Sequence, residues 1–314
     1  MVYSICRFIE RHFLLIAVFS SLAAYLSPPL FIWIKPHIAF CLGVIMFGMG
    51  LTLQFSDFAS AIKNYKAVCL GIILQYTVMP ALAVILSSLM GLPQEALIGM
   101  VVVGACPGGT ASNVIAHLAG ANVALSVTMT MISTCLAPLL TPMIIYAVLN
   151  QQVEIPLLPM IKSVFWIVIF PLVDGLVLRR FLRKRIDPVI HIFPSVSIIV
   201  IAMLVACIIG LNRDMLATFP LLILAAVALH NAGGLIAGYG VGRIAGFDKR
   251  DSLTLAIEVG MQNSGLGVAL ATKYFGTATA LPGALFSLWH NISGIAIADR
   301  TRQDGSETRD LQPK

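Results

Sequence analysis

Charged residues are scarce in this sequence, and their scarcity decides the class of protein. Only 11% of the 314 residues are charged, whereas 59% are hydrophobic, and the mean hydropathy is +0.94. Between residues 67 and 153 the only charged side chain is Glu95. A water-soluble protein needs charged side chains over its surface, so this composition argues against a soluble globular fold and is typical of a polytopic membrane protein.

Paired cysteines and catalytic motifs are also lacking. The six cysteines are scattered, mostly inside apolar stretches, and none forms a Cys-x-x-Cys pair. They indicate buried thiols and support neither a disulfide framework nor a zinc site. The sequence has no His-Glu-x-x-His motif and no nucleophile elbow, so we expect neither enzymatic activity nor a cofactor. An intramembrane enzyme that uses Glu258 with His230 or His290 stays open as an alternative of a different class.

The chain does contain a succession of apolar segments, and crossing a bilayer takes about 20 such residues each. Ten segments lie between charged or Pro/Gly-marked loops, at 13–32, 37–54, 67–90, 95–118, 123–148, 161–179, 188–210, 217–241, 251–272 and 279–298. The sequence therefore predicts an all-α polytopic membrane protein with ten transmembrane helices. Because five spans in each half is an odd number, the halves must insert with opposite topology, as inverted repeats.

The boundaries of these repeats follow from the spans. We place the first repeat at residues 1–156 and the second at 157–298, followed by a charged cytoplasmic tail at 299–314. The polar composition of that tail predicts disorder.

The basic residues predict how the protein is oriented in the membrane. Sixteen of the twenty lysines and arginines fall on the side of the two termini, and only Lys35, Lys162, Arg213 and Lys273 fall on the other. Basic residues concentrate on the cytoplasmic side, so both termini are expected there. This pattern indicates membrane orientation and no nucleic-acid partner. The absence of an Arg/Ser-rich transit peptide favours a bacterial inner membrane.

Two polar interruptions occur inside otherwise apolar segments. One is Cys-Pro-Gly-Gly-Thr-Ala-Ser-Asn at 106–113, and the other is Glu-Val-Gly-Met-Gln-Asn-Ser-Gly at 258–265. Their markers, Pro107 and Gly260, are 153 residues apart, so each interruption has a similar place in its own half. At membrane depth such breaks survive only where the backbone lines a cavity. The pair therefore predicts broken helices at spans four and nine and points to the binding site of a transporter.

Glu258 is the most informative single residue, because a buried acid in a membrane needs a counter-charge. Its own span has no Lys or Arg, so either a bound cation or a proton must neutralise it. Oxygen ligands nearby favour a hard cation. The candidates are Gln262 and the carbonyls of Val259 and Met261 at the second break, Ser112 and Asn113 at the first, Ser126 and Thr130 on one face of span five, and Gln75 in span three.

The first break has a second use. A helix that restarts after Pro107 and Gly108 presents free backbone N–H groups and a positive dipole end, which attract an anion. Thr110 and Asn263 would add side-chain donors there. Polar pairs at 230–231 and 290–291 indicate hydrogen bonds between helices. Asp174 is expected to reach the basic cluster at 179–185, with a proton-relay role as the alternative.

At this point the sequence resembles the bile acid:sodium symporter family over residues 10–298. The resemblance is carried by the two breaks, by Asn-Val-Ala-Leu-Ser at 122–126 and by Trp-His-Asn at 289–291. It implies a panel domain (spans one, two, six and seven) and a core domain (spans three to five and eight to ten), with the broken helices crossing in the core.

The resemblance also implies a set of ligands, including two sodium ions as coupling ions. One sodium site would consist of Ser112, Asn113, Ser126, Thr130 and Glu258. The other would consist of Gln75, Glu258, Val259, Met261 and Gln262. Substrate contacts would fall on Gly109, Thr110, Asn263 and His290.

The implied activity is sodium-coupled symport of a bile-acid-like or other small organic anion by alternating access. Three alternatives remain: a proton-coupled antiporter, a transporter that exports a pantoate-like or keto acid, and a passive channel. The expected partners are sodium, the anion and the lipid bilayer.

Overall fold

The computed structural model describes residues 2–54, 64–182, 186, 190, 192–218 and 220–310. All regular elements within these ranges are helical, apart from one isolated antiparallel bridge between Gly108 and Gln262. The first half of the chain forms α1 (Val2–Arg11), α2 (Phe13–Leu26), α3 (Pro29–Ile32), α4 (Ile38–Thr52), α5 (Tyr65–Leu89), α6 (Gln94–Gly104), α7 (Ser112–Leu118) and α8 (Val123–Leu149).

The second half repeats this all-helical organisation. It forms α9 (Leu157–Leu182, with a π-helical stretch at Phe165–Ile169), α10 (Phe193–Leu211), α11 (Arg213–Thr218), α12 (Pro220–Ile244), α13 (Lys249–Gly260), α14 (Ser264–Tyr274) and α15 (Leu281–Asp310).

Each of the ten predicted segments overlaps one helix or two consecutive helices in the described part of the chain, although the predicted loop between segments one and two lies within the helical stretch Pro29–Thr52. Among the described residues, six helical segments are long and apolar enough to cross a membrane: Pro29–Thr52, Tyr65–Leu89, Val123–Leu149, Leu157–Leu182, Phe193–Leu211 and Leu221–Ile244. Segments four and nine are split, as predicted, into α6 and α7 and into α13 and α14. Segment one is also split, because Pro28 and Pro29 end α2 at Leu26.

The surface of the protein is apolar and part of its interior is polar. Phe40 is 73% exposed, Leu89 80% and Phe181 79%. In contrast, Glu258, Gln262 and many hydroxyl side chains are buried. This distribution is suited to a lipid surrounding, where ionisable side chains face the inside of the helix bundle.

Two sets of helices pack closely, and the sets also contact each other, α8 with α9 and α10 with α15. In one, α9 packs against α4, and α10 packs against α2 and α4. In the other, α12 packs against α5 and α13, and α5 also packs against α6 and α8. The second neighbourhood contains both interrupted segments.

The prediction of a disordered tail was wrong as far as Asp310. Helix α15 continues through this segment, and residues 311–314 lie outside the described residues. The segment has no proline before Pro313, and each residue added to an existing helix gains a backbone hydrogen bond. A polar composition therefore did not prevent helix extension here.

Candidate cation site at the crossing of two broken helices

The two interruptions meet and pair through their backbones. Helix α6 ends at Gly104 and α7 begins at Ser112, while α13 ends at Gly260 and α14 begins at Ser264. Between them, the Gly109 N–H donates to the Met261 carbonyl over 2.7 Å, and the Asn263 N–H donates to the Pro107 carbonyl over 2.8 Å. This antiparallel pairing satisfies backbone groups that the helix breaks would otherwise leave unpaired at membrane depth.

Glycine is required at the crossing because the backbones approach so closely. A Cβ atom on Gly109 would lie 2.6 Å from the Gln262 carbonyl oxygen, which belongs to the backbone and cannot move aside. Pro107 has no N–H to leave unsatisfied, and its carbonyl accepts one of the two bridging bonds. The Pro-Gly-Gly sequence thus ends one helix and leaves room for the backbone of the second break.

Around Glu258 the structure gathers one group of side-chain oxygens, which we call the carboxylate cluster: Ser112, Asn113, Ser126, Thr130 and Glu258. Ser112 Oγ donates to Glu258 Oε1 over 2.5 Å, and Thr130 Oγ1 donates to Oε2 over 2.7 Å. Ser126 Oγ also donates to Glu258 Oε1 and lies 2.9 Å from Asn113 Oδ1. All five predicted members of the first site therefore lie together.

Local sequence explains how these side chains converge. Asp248 caps α13 by accepting a hydrogen bond from the Asp251 N–H, and Glu258 follows near the other end of that helix. Ser126 and Thr130 lie four residues apart, so they occupy one face of α8. Ser112 begins α7 directly after the first break.

The cluster is suited to an alkali cation. Glu258 is only 2% exposed, and its hydrogen-bond partners in the described part of the chain are three hydroxyl groups and no cationic side chain. A buried carboxylate is costly unless its charge is balanced. Carboxylate, hydroxyl and amide oxygens are the ligands that hard cations prefer, whereas zinc and copper favour nitrogen and sulfur.

Gln75 and Gln262 form a second polar group, which we call the amide pair. Gln75 Nε2 donates to Gln262 Oε1 over 2.6 Å and to the Cys106 carbonyl over 2.8 Å. Gln262 Nε2 donates to the Val259 carbonyl over 3.0 Å. The structure therefore brings Gln75 from α5 to the second break, where the other predicted second-site residues lie. Each acceptor oxygen still has a second lone pair available.

A small cavity lies between the carboxylate cluster and the amide pair. Its volume is about 10 Å³, which is room for about one water-sized particle. The lining residues come from α5, α8, α13 and the first break: Gly71, Ile72, Gln75, Gly108, Met129, Ser133 and Glu258. A dehydrated cation in this space would contact both polar groups.

Two of the predicted substrate contacts, Gly109 and Asn263, already make other hydrogen bonds at the crossing. The Gly109 N–H is already donated to Met261, so it is not free for an anion. Asn263 Oδ1 caps α14 by accepting from the Leu266 N–H over 3.1 Å, which leaves the Asn263 amide nitrogen directed to Met46 Sδ at 3.9 Å. Thr110 is half-buried beside them.

His290, the fourth substrate candidate, is buried on α15. Its ring is 5% exposed and packs edge-on against Phe286, with 5.4 Å between the ring centroids. His230 packs on the same phenyl ring at 5.7 Å, and its Nε2 is 2.8 Å from the Met79 carbonyl, an interhelical hydrogen bond of the predicted kind. Asp174 is exposed on α9, and residues 183–185 of the basic cluster lie outside the described residues.

Two residues beside the cavity were not predicted from the sequence. Ser133 lines the cavity, and its Oγ accepts a hydrogen bond from the Gly108 N–H over 3.4 Å. Tyr76 donates its hydroxyl proton to the Ser133 carbonyl over 2.7 Å. Ser133 follows Ser126 by seven residues, which is close to two helical turns, so helical spacing was a usable signal for it.

Comparison of the sequence with known proteins identifies its family. The sequence model of the sodium bile acid symporter family matches residues 39–219. An uncharacterised sodium-dependent transporter of Bacillus subtilis, YocS, is 40% identical over 99% of both chains. A probable sodium/metabolite cotransporter of Arabidopsis thaliana chloroplasts, BASS1, is 38% identical over 88% of this chain and 70% of its own length.

Proposed function

The chain belongs to the sodium bile acid symporter family, and from this premise we propose that it is a sodium-coupled symporter of a small organic anion. Membership in the family confirms the resemblance found in the sequence. It also makes the protein an integral membrane protein of a sodium-dependent transport family. The coupling ions, the substrate and the transport direction belong to the proposal.

One observation supports sodium coupling above the others. The Glu258 carboxylate is buried among three hydroxyl donors, and Asn113 Oδ1 lies beside two of them, at 2.9 Å from Ser126 Oγ and 3.4 Å from Thr130 Oγ1. When a cation enters, these hydroxyl groups can turn their lone pairs toward it while the carboxylate supplies the charge. We assign the first sodium ion to this cluster and the second to the amide pair with Val259 and Met261.

The proposed architecture is ten transmembrane helices in two inverted repeats, residues 1–156 and 157–298. A division into two moving bodies is supported by the packing of α4 against α9 and α10 and of α10 against α2, since these four helices correspond to the panel domain. The remaining long helices surround the crossing and correspond to the core domain. Rocking of one body against the other would expose the crossing first to one side of the membrane and then to the other.

Coupling follows from the position of the ions. Sodium at Glu258 would fix the two broken helices in the arrangement that receives the anion beside Thr110 and Asn263. By linkage, the anion must then raise sodium affinity by the same factor. Two cations carried with one monoanion move one net charge inward, which releases about 2.3 kcal/mol per 100 mV of membrane potential.

The substrate class is an organic monoanion, with bile-acid-like compounds and small metabolites such as pantoate-like or keto acids as the two candidates. The Arabidopsis relative is named a sodium/metabolite cotransporter. Relatives are named as transporters, which is consistent with a protein that is not an enzyme. We place it in a bacterial inner membrane with both termini in the cytoplasm, as its basic residues predict.

The direct test uses the full chain reconstituted in liposomes. Small carboxylates are first screened by thermal unfolding with and without sodium, because a true substrate stabilises the protein more when sodium is present. Uptake of the best compound is then measured in sodium, potassium and choline. Uptake that is indifferent to the replacement of sodium contradicts the proposal. If uptake instead follows a pH gradient at fixed sodium, the protein is proton-coupled.

A further inference from the structure

Polar contacts join the proposed panel and core domains at the end of the bundle that is predicted to lie opposite the two termini. There the first turns of α9, a panel helix, meet the last turn of α14, a core helix that starts at the crossing. Lys273 Nζ donates to Ser163 Oγ over 2.7 Å, and the Tyr274 hydroxyl donates to the Pro159 carbonyl over 2.8 Å. Neither proposed sodium site uses these residues.

These groups form one directed chain of hydrogen bonds, which we call the latch: Lys273, Ser163, Tyr274 and Pro159. Because Tyr274 donates its proton to Pro159, the hydrogen bond between the Ser163 and Tyr274 hydroxyl groups is donated by Ser163. The Ser163 oxygen in turn accepts from the Lys273 ammonium. Each of the three bonds crosses between α9 and α14, so all three must break when these helices separate.

A second polar contact lies at the same end of the bundle. Asn212, at the end of α10, is 5% exposed, and its Nδ2 donates to the Thr277 carbonyl in the loop after α14 over 3.0 Å. Further along α9, the two domains touch through apolar side chains, where Met49 and Leu172 pack with Met131 of α8. Protein hydrogen bonds exchange for bonds to water at a small net cost, so the polar end is suited to repeated opening.

The Lys273 ammonium has the capacity for a further partner. It carries three N–H donors, and its described contacts are Ser163 Oγ and the Tyr274 ring, whose centroid is 5.3 Å away. Both of these partners are neutral, and the lysine side chain is exposed. A carboxylate forms a stronger, charge-assisted bond with an ammonium group than a hydroxyl does. An organic anion that arrives here can therefore replace Ser163 as the partner of Lys273.

We propose that Lys273 has two roles at a periplasmic entrance: it keeps the entrance closed through the latch, and when the latch opens it is the first partner of the incoming organic anion. The inference rests on the proposed function, which supplies the anion, the two moving domains and the orientation. Helix α14 connects the entrance with the proposed anion site, because Asn263 caps its start and Lys273 lies in its last turn, about 15 Å further along.

The test labels a cysteine at the crossing from the periplasm of intact cells. Met46 is 1% exposed on α4, and its Sδ lies 3.9 Å from Asn263 Nδ2, so the thiol of Met46→Cys is reached from the periplasm only when the two domains separate. The probes are two methanethiosulfonates that do not cross the inner membrane, one with an anionic sulfonatoethyl group and one with a cationic trimethylammonioethyl group. Fragment mass spectrometry assigns the label to residue 46.

Ser163→Ala breaks the latch and keeps the charge of Lys273. Because a hydrogen bond to a charged group is lost, the open fraction should rise, and both reagents should label about tenfold faster. Lys273→Met also breaks the latch but removes the charge. Compared with Ser163→Ala, the anionic reagent should then be slower and the cationic reagent faster, each by about twofold to tenfold, which is the effect of one unit charge at about 10 Å.

Tyr274→Phe provides a second latch variant in case Ser163→Ala does not fold. It removes the hydroxyl and keeps the ring beside Lys273, so both reagents should label faster, by a smaller factor because the lost bonds are between neutral groups. Lys35→Met is the matched control for Lys273→Met. It removes an exposed charge on the same predicted side of the membrane, outside the latch, and both rates should stay within about twofold of the parent.

Unchanged labelling in both Ser163→Ala and Tyr274→Phe would overturn the latch. Identical pairs of rates in Lys273→Met and Ser163→Ala would overturn the role of Lys273 as a partner of the anion. Faster labelling of the variants only in inverted membrane vesicles would contradict the periplasmic entrance and the proposed orientation together. Sodium coupling does not enter these rates, so liposome uptake that is indifferent to sodium contradicts the proposed function alone.

Discussion

The carboxylate cluster and the amide pair border the same cavity, yet they satisfy their polar atoms in different ways. Gln75 and Gln262 are neutral, and their amide nitrogens donate to Gln262 Oε1 and to the Cys106 and Val259 carbonyls. Glu258 receives three hydroxyl donors, but its charge has no cationic partner among the described side chains. One group is neutral without an ion, and the other contains a carboxylate.

This difference predicts which of the two groups binds sodium more tightly. An ion at the carboxylate cluster removes an uncompensated buried charge, so binding there is favoured by electrostatics. An ion at the amide pair must compete with the Gln75–Gln262 hydrogen bond. It is attracted there only by the dipoles of neutral amide and carbonyl groups. We therefore expect the first site to fill at lower sodium concentration, and substitutions there to have the larger effects.

The largest effect is expected from Glu258→Ala, which removes the charge common to both sites. Sodium-dependent uptake into liposomes should be abolished while expression and membrane insertion persist. Glu95→Ala serves as the control, because this acid is exposed in the first turn of α6. Normal sodium dependence in Glu258→Ala would show that this carboxylate does not bind the coupling ions.

Next comes Gly109→Ala, which tests the junction between the two groups. The new methyl carbon would lie 2.6 Å from the Gln262 carbonyl oxygen, so the crossing must shift. Overpacking of this kind costs about 1–3 kcal/mol, and we expect a lower melting temperature together with strongly reduced sodium-dependent uptake. Gly240→Ala is the matched control, since its added Cβ would meet no atom within 4 Å. Equal behaviour of the two variants would show that the close crossing is not needed.

A smaller effect is expected from Ser126→Ala, which deletes one oxygen of the carboxylate cluster and keeps the charge. The bound cation would lose one oxygen ligand, and a polar contact to a charged group is worth about 1.5–3 kcal/mol, so half-saturating sodium should rise about tenfold or more. Ser88→Ala, at an exposed position on α5, controls for loss of a hydroxyl. A sodium titration that coincides with that of the unmodified protein would show that Ser126 contributes packing only.

The smallest effect is expected from Gln75→Ala, because the proposed second ion would lose one neutral amide oxygen, and a polar contact of a neutral group is worth about 0.5–1.5 kcal/mol. Half-saturating sodium should rise about threefold to tenfold, with uptake at saturating sodium largely retained. Gln94→Ala, exposed at the start of α6, is the control. If Gln75→Ala impairs sodium dependence more than Ser126→Ala does, the proposed order of the two groups is reversed.

Much of the carboxylate cluster could be predicted from the sequence, because acidic and polar residues are rare in the apolar spans that contain its members. A single acid in an apolar span and two hydroxyl residues four positions apart on one helix each signal a buried role by themselves. Helical periodicity then fixed which of them share a face. The structure brings Ser112, Asn113, Ser126 and Thr130 to Glu258, although residues 126 and 258 are 132 positions apart.

The backbone pairing at the crossing could not be read in the same way. Sequence placed the breaks near Gly108 and Gly260, but which carbonyl meets which N–H depends on how two helices register in space. The use of the Gly109 N–H by Met261 therefore went unforeseen, and with it the loss of one expected anion donor. Ser133 was missed although its spacing from Ser126 places both on one face of α8, because hydroxyl residues often bond to their own helix, as Ser133 Oγ does to the Thr130 carbonyl.

The bridge at Gly108 and Gln262 is built from main-chain atoms, so side-chain replacement elsewhere leaves its bonds in place. Only the glycines must stay small. Apart from Gly109, the residues proposed to contact the anion can consequently change in size and polarity without breaking these main-chain bonds. Related transporters can therefore differ in substrate selectivity while they keep the same coupling between substrate and ion.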